Sequence, residues 1–232
     1  YSDAGFFQDD QGLWEYRFEA EDDRLFISHT DPRNFTIEQD DISISLIEGG
    51  SGESVYRPGS ETITLKVGII DTDRNLPAVG ANLTFWVTTN SSNTTSFDSG
   101  TITTTDVDGN GTYPFPPGCS YFTGVQVWRV GTTPNTLFKY SNSRNYTITI
   151  NSFIGVNVTS PDGGAFIKGD LVPFYGHVFD ECGGIGGASV VFNDKQGFNT
   201  WGCTPVTDHG NGTYNCTFDT GPRPYNFHNI FM

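Results

Sequence analysis

Three pairs of segments in this chain repeat one another in the same order. An internal repeat constrains a fold more tightly than composition does, because each copy has to build a similar supersecondary unit. Arg33–Gln39 (RNFTIEQ) aligns with Arg144–Ile150 (RNYTITI) at an offset of 111 residues. Ala78–Phe85 (AVGANLTF) aligns with Ile185–Phe192 (IGGASVVF) at 107, and Asp108–Tyr113 (DGNGTY) with His209–Tyr214 (HGNGTY) at 101. The offsets shrink steadily, as loop deletions produce. In 232 residues a period near 110 leaves room for about two copies, the size of two small domains.

Each copy reads as short strands. Helix formers are few, with six Ala, eight Leu, four Lys and one Met, whereas Thr, Val, Ile, Phe and Tyr are plentiful. Side chains that are stiff at Cβ favour a pleated surface, and the 28 Gly and 12 Pro supply turns every few residues. The fold class is therefore all-β. Period-2 alternation places strands A to G of one copy at 42–47, 61–70, 81–88, 99–105, 112–115, 121–130 and 144–150. The second copy repeats A near Ile154, B at 171–180, C at 188–193, D near 200–206 and E at 213–218, with F starting within 225–232. Seven short strands with turns between them indicate a β-sandwich. Gly12–Phe18 alternates like strand F, and Arg33–Gln39 matches strand G. The expected division is thus 1–40 as the F–G hairpin of a preceding or neighbouring repeat, 41–152 as a complete domain, and 153–232 as a domain lacking its last strand.

The stretch Pro77–Phe85 followed by Thr104–Tyr113 resembles bacterial and archaeal Ig-like surface domains of the invasin/intimin type. Asp108–Tyr113 is also similar to the filamin-type Ig repeat. The resemblance implies tandem Ig-like β-sandwich domains and a surface location. It supplies no catalytic residues.

Charge narrows the partners. Twelve Lys+Arg against 27 Asp+Glu give −15, the wrong sign for a phosphate backbone or an anionic bilayer surface, so no nucleic acid is expected. No apolar run reaches the roughly 18 residues of a spanning helix, so no membrane insertion is expected in this segment. Nine Asn-x-Ser/Thr triplets start at Asn34, Asn82, Asn90, Asn93, Asn110, Asn145, Asn157, Asn211 and Asn215. Chance yields about three or four from this composition, so the excess points to an N-glycosylated extracellular or cell-surface protein. In the segments at 34, 82, 145 and 157 the Asn falls on the polar beat of a strand, where a glycan has room.

Four cysteines fit an oxidising compartment and two disulfides. Cys203 and Cys216 lie equidistant from a D–E turn centred between His209 and Gly210, which predicts a bridge across a hairpin. Cys119 lies in the E–F loop of the complete copy and Cys182 in the B–C loop of the next. These loops lie at opposite poles of a sandwich, and a connector of about three residues brings them together, which predicts the second bridge.

No convergent catalytic set is present, and no enzyme is expected: the four His are in no HExxH, and no Ser is in a GxSxG elbow. Gly183–Gly187 precedes a strand and not a helix, so it reads as a loop and not a phosphate cradle. Acidic pairs such as Asp9-Asp10, Asp22-Asp23 and Asp40-Asp41 sit in turn-like stretches. Asp106-x-Asp108-x-Asn110-Gly111 matches the start of an EF-hand-type calcium loop, but its closing position is Pro117. The preferred reading is a tight D–E hairpin, while Asp71 and Asp73, in a loop at the same pole, keep a calcium site with Asp106 and Asp108 as the alternative; no other cofactor is implied. Among Trp14, Trp86, Trp128 and Trp201, the beat next to Phe85 makes Trp86 the expected exposed one. Together these readings describe a segment of an extracellular, N-glycosylated filament or stalk of Ig-like domains joined head to tail, with copies of itself and N-linked glycans as partners. The strand Arg33–Gln39 would be donated between copies, or the repeats would run on in one chain. The alternatives are an adhesin or carbohydrate-binding module with Ig-like spacers, and an ancillary domain of a secreted hydrolase.

Overall fold

Alternating burial runs through the long strands. In Ile63–Asp71 the side chains of Ile63, Leu65, Val67 and Ile69 are buried and those between them are not. A strand reads this way when one face packs on a core and the other meets water. The computed structural model describes residues 11–57, 61–90, 95–133 and 137–232, and every regular element among them is a strand. The chain divides into two compact units. The first comprises Tyr1–Ser54, Thr62–Phe115 and Gly124–Thr149; the second comprises Val55–Glu61, Pro116–Thr123 and Ile150–Met232.

The first unit opens with two hairpins. β1 (Gly12–Tyr16) pairs with β4 (Arg33–Ile37), and β2 (Glu19–Glu21) with β3 (Ile27–His29), both antiparallel. There follow β5 (Ile42–Glu48), β6 (Ser54–Tyr56), β7 (Ile63–Asp71), β8 (Leu76–Pro77), β9 (Asn82–Val87), β10 (Thr101–Thr104), β11 (Asn110–Phe115), β12 (Gly124–Thr132) and β13 (Tyr146–Asn151). One sheet runs β10-β9-β12-β13-β6 and the other β11-β7-β5, with β8 on β7. Their inner faces meet at Phe85, which lies 5.9 Å from Tyr113 of the opposite sheet and stacks on Trp128. Trp128 is fully buried, so its indole N–H needs a partner. It donates to the Gly49 carbonyl at 2.6 Å. Gly49 itself has φ 84°, and a Cβ there would press on Leu65, so only glycine fits.

The second unit contains β14 (Gly155–Ser160), β15 (Leu171–Asp180), β16 (Gly183–Gly184), β17 (Phe192–Gln196), β18 (Asn199–Cys203), β19 (Thr207–Asp208), β20 (Thr213–Asp219) and β21 (Asn229–Phe231). One sheet runs β14-β15-β20-β19 with β16 on β15, and the other β18-β17-β21. Val172, Phe174, Val178, Tyr214 and Phe218 from the first sheet bury themselves against Phe192 and Cys203 from the second. Tyr214 is inside this core, and its hydroxyl donates to the Ile185 carbonyl and accepts from the Ala188 N–H. The Gly183–Gly187 stretch is a packing device. At Gly184 a Cβ would collide with the Asn211 carbonyl, so the loop backbone can lie directly on the 210–212 turn.

Two strand readings need correction. The segment expected as strand C of the second copy, 188–193, becomes β17 only from Phe192, and upstream the Ala188 N–H donates to the Tyr214 hydroxyl. Strand D does not form a hairpin with E in either copy. β10 pairs with β9 and β18 with β17, so the chain changes sheet before reaching E. The contribution of β6 to the first sandwich has no counterpart in the alternation pattern.

Candidate functional site

Arg57 sits at the centre of a buried polar network in the second unit. Its side chain is 10% exposed, with Asp180 at 13% and Glu181 at 4%. Nε donates to Glu181 Oε1 at 2.7 Å, Nη2 to Asp180 Oδ2 at 2.8 Å, and Nη1 to the Tyr121 carbonyl at 2.6 Å. A planar guanidinium has donors enough for all three at once, which an ammonium cannot arrange in one plane. Ser152 Oγ donates to Glu181 Oε2, and the Cys182 N–H donates to Asp180 Oδ1. Burial works to raise the Glu181 pKa. Hydrogen bonds from its own backbone N–H, Arg57, Ser152 and the Phe153 N–H outweigh burial and hold it below the ordinary glutamate value. One residue further on, Cys182 is bonded to Cys119, with Cα atoms 5.6 Å apart. Two segments remote in sequence, Arg57 just after β6 and residues 116–123, are thus fastened to the corner Asp180-Glu181-Cys182, one by charge and one covalently. Nothing in the sequence paired Arg57 with carboxylates 123 and 124 residues away.

The second feature of this unit is an open cleft of about 750 Å³. Val172, Phe174 and Phe218 form its floor, and Phe166, Phe227 and Ile230 stand at its sides. Among the described residues β21 pairs only with β17, so its far edge carries no strand, whereas its counterpart β12 is flanked by β9 and β13. Asp194, almost fully buried at the cleft wall, is held by His228 Nδ1 at 2.8 Å, and His228 Nε2 lies 3.0 Å from the Pro224 carbonyl.

The remaining sequence-derived residues are dispersed. Cys203 and Cys216 are bonded to each other, with Cα atoms 6.1 Å apart, but the expected hairpin geometry is wrong. Thr207 and Asp208 face Asn215 and Tyr214, while Cys203 pairs with Phe192 in the other sheet, so the bridge crosses the core between sheets. Of the glycosylation candidates, Asn34, Asn145, Asn157 and Asn211 are exposed and Asn82, Asn90, Asn110 and Asn215 half-buried; Asn93 lies outside the described residues, as do Asp9 and Asp10.

Three of the four calcium candidates accept hydrogen bonds from backbone N–H groups. Asp106 Oδ1 accepts from the N–H groups of Asp108 and Asn110, which holds its pKa down. Asp71 Oδ1 accepts from the N–H groups of Asp73 and Arg74, and Asp73 Oδ2 from that of Asp41. Among the described residues no group of three or more His, Cys, Asp or Glu side chains is placed to hold a metal ion, so Asp71, Asp73, Asp106 and Asp108 are not gathered into one. Trp86 is half-buried beneath the Arg129 guanidinium, and Trp14 is the exposed tryptophan, at 37%.

In both units, two antiparallel sheets enclose a core, and the class this defines is an all-β sandwich protein. No protein-family model matches the sequence, and no curated protein matches it. Among solved structures the chain is similar to a tetra-tandem repeat from the extending region of a large adhesion protein, at 14% identity and a TM-score of 0.48, covering 91% of this chain and 50% of that one. It is also similar to a Ca²⁺-stabilized adhesin with which an Antarctic bacterium binds ice, at 13% identity, TM-score 0.29, 92% of this chain and 50% of that one. A third similarity is to native E. coli alpha-2-macroglobulin, at 9% identity, TM-score 0.34, 90% of this chain and 16% of that one. The chain therefore spans half the length, or less, of these proteins.

Proposed function

We propose that this chain is a non-enzymatic structural segment of an extracellular, N-glycosylated filament or stalk built from β-sandwich repeats. The observation that carries this reading is the fastened corner at 180–182. Its buried charges tie Arg57 to Asp180 and Glu181, and a covalent bond from Cys119 to Cys182 backs them up. Two disulfides fit an oxidising compartment, and among the described Asn-x-Ser/Thr sites Asn34, Asn145, Asn157 and Asn211 are exposed, where a glycan could project. The internal repeat supplies the linear plan, since units that follow one another in sequence extend a chain.

The reading is tested by pulling single molecules of the full chain with and without reductant, alongside intact-mass measurement of native material before and after deglycosylation. With the Cys119–Cys182 bond intact the enclosed residues cannot extend, and reduction should release roughly 200 Å of extra contour length at about 3.5 Å per residue. Loss of several glycan masses on deglycosylation is expected. An unglycosylated native protein whose extension is indifferent to reductant would sink the proposal.

A further inference from the structure

The two bridges of the second unit stand in opposite surroundings. Cys203 and Cys216 are 2% and 3% exposed in the core, whereas Cys119 and Cys182 are both exposed. Thiol–disulfide exchange needs a thiolate to reach one of the bonded sulfurs, so access decides which bridge reacts. The outer bridge meets that condition in the folded unit. The inner one meets it only after the core opens.

Arg57 spans the same gap as the outer bridge. Its Nη1 donates to the carbonyl of Tyr121, two residues after Cys119. Its Nη2 and Nε donate to Asp180 and Glu181, two residues and one residue before Cys182. Behind it the Arg57 N–H donates to the Asn151 carbonyl at 3.1 Å, which anchors the backbone that carries the guanidinium. The Cys182 N–H donates to Asp180 Oδ1 at 2.7 Å, so the cysteine's own backbone is tied to the carboxylate that Arg57 grips. None of these contacts uses a sulfur atom, and breaking the S–S bond removes none of them. Hydrogen bonds between charged groups are strong and directional, and a guanidinium fork fixes its partners in one plane.

The geometry points to Cys119–Cys182 as a thiol-exchange site, with Arg57 as the positioning residue that holds the two opened thiols within bonding reach. An external thiolate attacks Sγ of either cysteine. The new S–S bond forms as the old one breaks, and the electron pair leaves on the other cysteine as thiolate. A second external thiolate attacks the mixed disulfide, which releases the external disulfide and leaves Cys119 and Cys182 reduced. Two electrons have passed from two external thiols to the bridge, and closure runs the same steps backward with a low-molecular-weight disulfide as oxidant. The partner is therefore a small thiol and its disulfide. Opened, the corner at 180–182 is still gripped by charge, so the bond is a latch that recloses in place. This deepens the structural reading above and rests on it, since it gives the fastened corner two covalent states.

The test equilibrates the full chain in graded mixtures of reduced and oxidised glutathione, traps free thiols with iodoacetamide and locates them by peptide mass. Cys119 and Cys182 should alkylate at ratios that leave Cys203 and Cys216 closed, and oxidised glutathione should restore the bond without refolding. Arg57→Ala should lower the effective concentration of the two thiols for each other about tenfold to a hundredfold, the loss expected when charge-assisted hydrogen bonds disappear. The inner bridge of the same molecules is the internal standard. A variant that merely unfolds exposes both pairs, whereas lost positioning shifts only the outer one. Arg57→Lys keeps the charge without the planar fork; it should weaken closure by less, and it carries the test where the alanine variant does not fold. Two bridges that open at the same ratio, or an outer pair that closes as readily in both Arg57 variants as in the wild type, would overturn the proposal. Glycan masses, and the pulled extension of a chain carrying Cys119→Ala and Cys182→Ala, report on the broader reading alone, so the two failures are distinguishable.

Discussion

Replacing Arg57 by Ala should be among the most damaging single changes outside the apolar cores. Exposed ion pairs are worth little, about 0–1 kcal/mol. This one is different, because all three side chains are at most 13% exposed. Removing one partner of a buried pair strands the other charge and typically costs about 3–5 kcal/mol. Here two carboxylates are stranded, which pushes upward, but Glu181 keeps Ser152 and Phe153 as donors and Asp180 keeps the Cys182 N–H, which pushes down. A loss of about 3 kcal/mol is expected, or roughly 12–24 °C in Tm for a cooperative unit of about 100 residues. Guanidinium unfolding with disulfides intact measures it. In a background carrying Asp180→Asn and Glu181→Gln, the same Arg57→Ala change should cost about 1–2 kcal/mol, since only hydrogen bonds and packing remain to lose. Acid provides an independent arm. A carboxylate held below its ordinary value contributes stability that is present above that value and is lost as pH falls through the folded pKa. The wild type should therefore lose stability faster than Glu181→Gln as pH drops below the ordinary glutamate value of 4.5. A cost under about 1 kcal/mol, or an equal cost in the neutral background, would show that the network does not hold the loops by charge.

Other perturbations probe other parts of the fold. Gly111→Ala forces a Cβ onto Leu83 in the first core and should cost about 1–3 kcal/mol by thermal unfolding, whereas Gly118→Ala, with open space around it, should stay within about 0.5 kcal/mol. Loop-closure entropy assigns about 3 kcal/mol to Cys203–Cys216 and about 4 kcal/mol to Cys119–Cys182, from separations of 13 and 63 residues, so Cys→Ala pairs at the two bridges should rank in that order in denaturant midpoint. Burial first, then the charges of Asp71 and Asp73 working against Arg74, raises the pKa of Asp40. Its ionised form is thus disfavoured by folding: Asp40→Asn should stabilise the protein at neutral pH, and the gain should vanish as pH falls through the raised value. A midpoint that does not move at neutral pH would contradict that sign.

Much of the β architecture was legible because period-2 alternation survives wherever one face of a strand is dry. B of the second copy, 171–180, coincides with β15 residue for residue. What alternation cannot encode is which strand lies beside which. The Cys203–Cys216 argument counted along a hairpin, but β18 and β20 belong to opposite sheets, and only pairing partners reveal that. Sites were harder. Asp106 and Asp71 look like cation ligands in a string of letters, because a carboxylate capping a turn and one gripping a metal need the same neighbours, Asp, Asn and Gly. Arg57 gave no signal at all. Its carboxylate partners stand more than 120 residues away, and a lone Arg between a Tyr and a Pro carries no period. Trp86 was assigned correctly to the outward beat, yet outward here means beneath an arginine.

The corner at 180–182 also sets an order of events during synthesis. Arg57 leaves the ribosome 123 residues ahead of Asp180, and Cys119 precedes Cys182 by 63. At a translation rate of about 5–20 residues per second, the Cys119 thiol waits roughly 3–13 s for its partner to be made. Throughout that interval it is the only thiol yet made in this segment, so no wrong bond within the segment is available to it. That protection ends with Cys203 and Cys216. Made at that pace, the segment closes its long loop before its short one where oxidation keeps up with synthesis, and risks a swap where it does not.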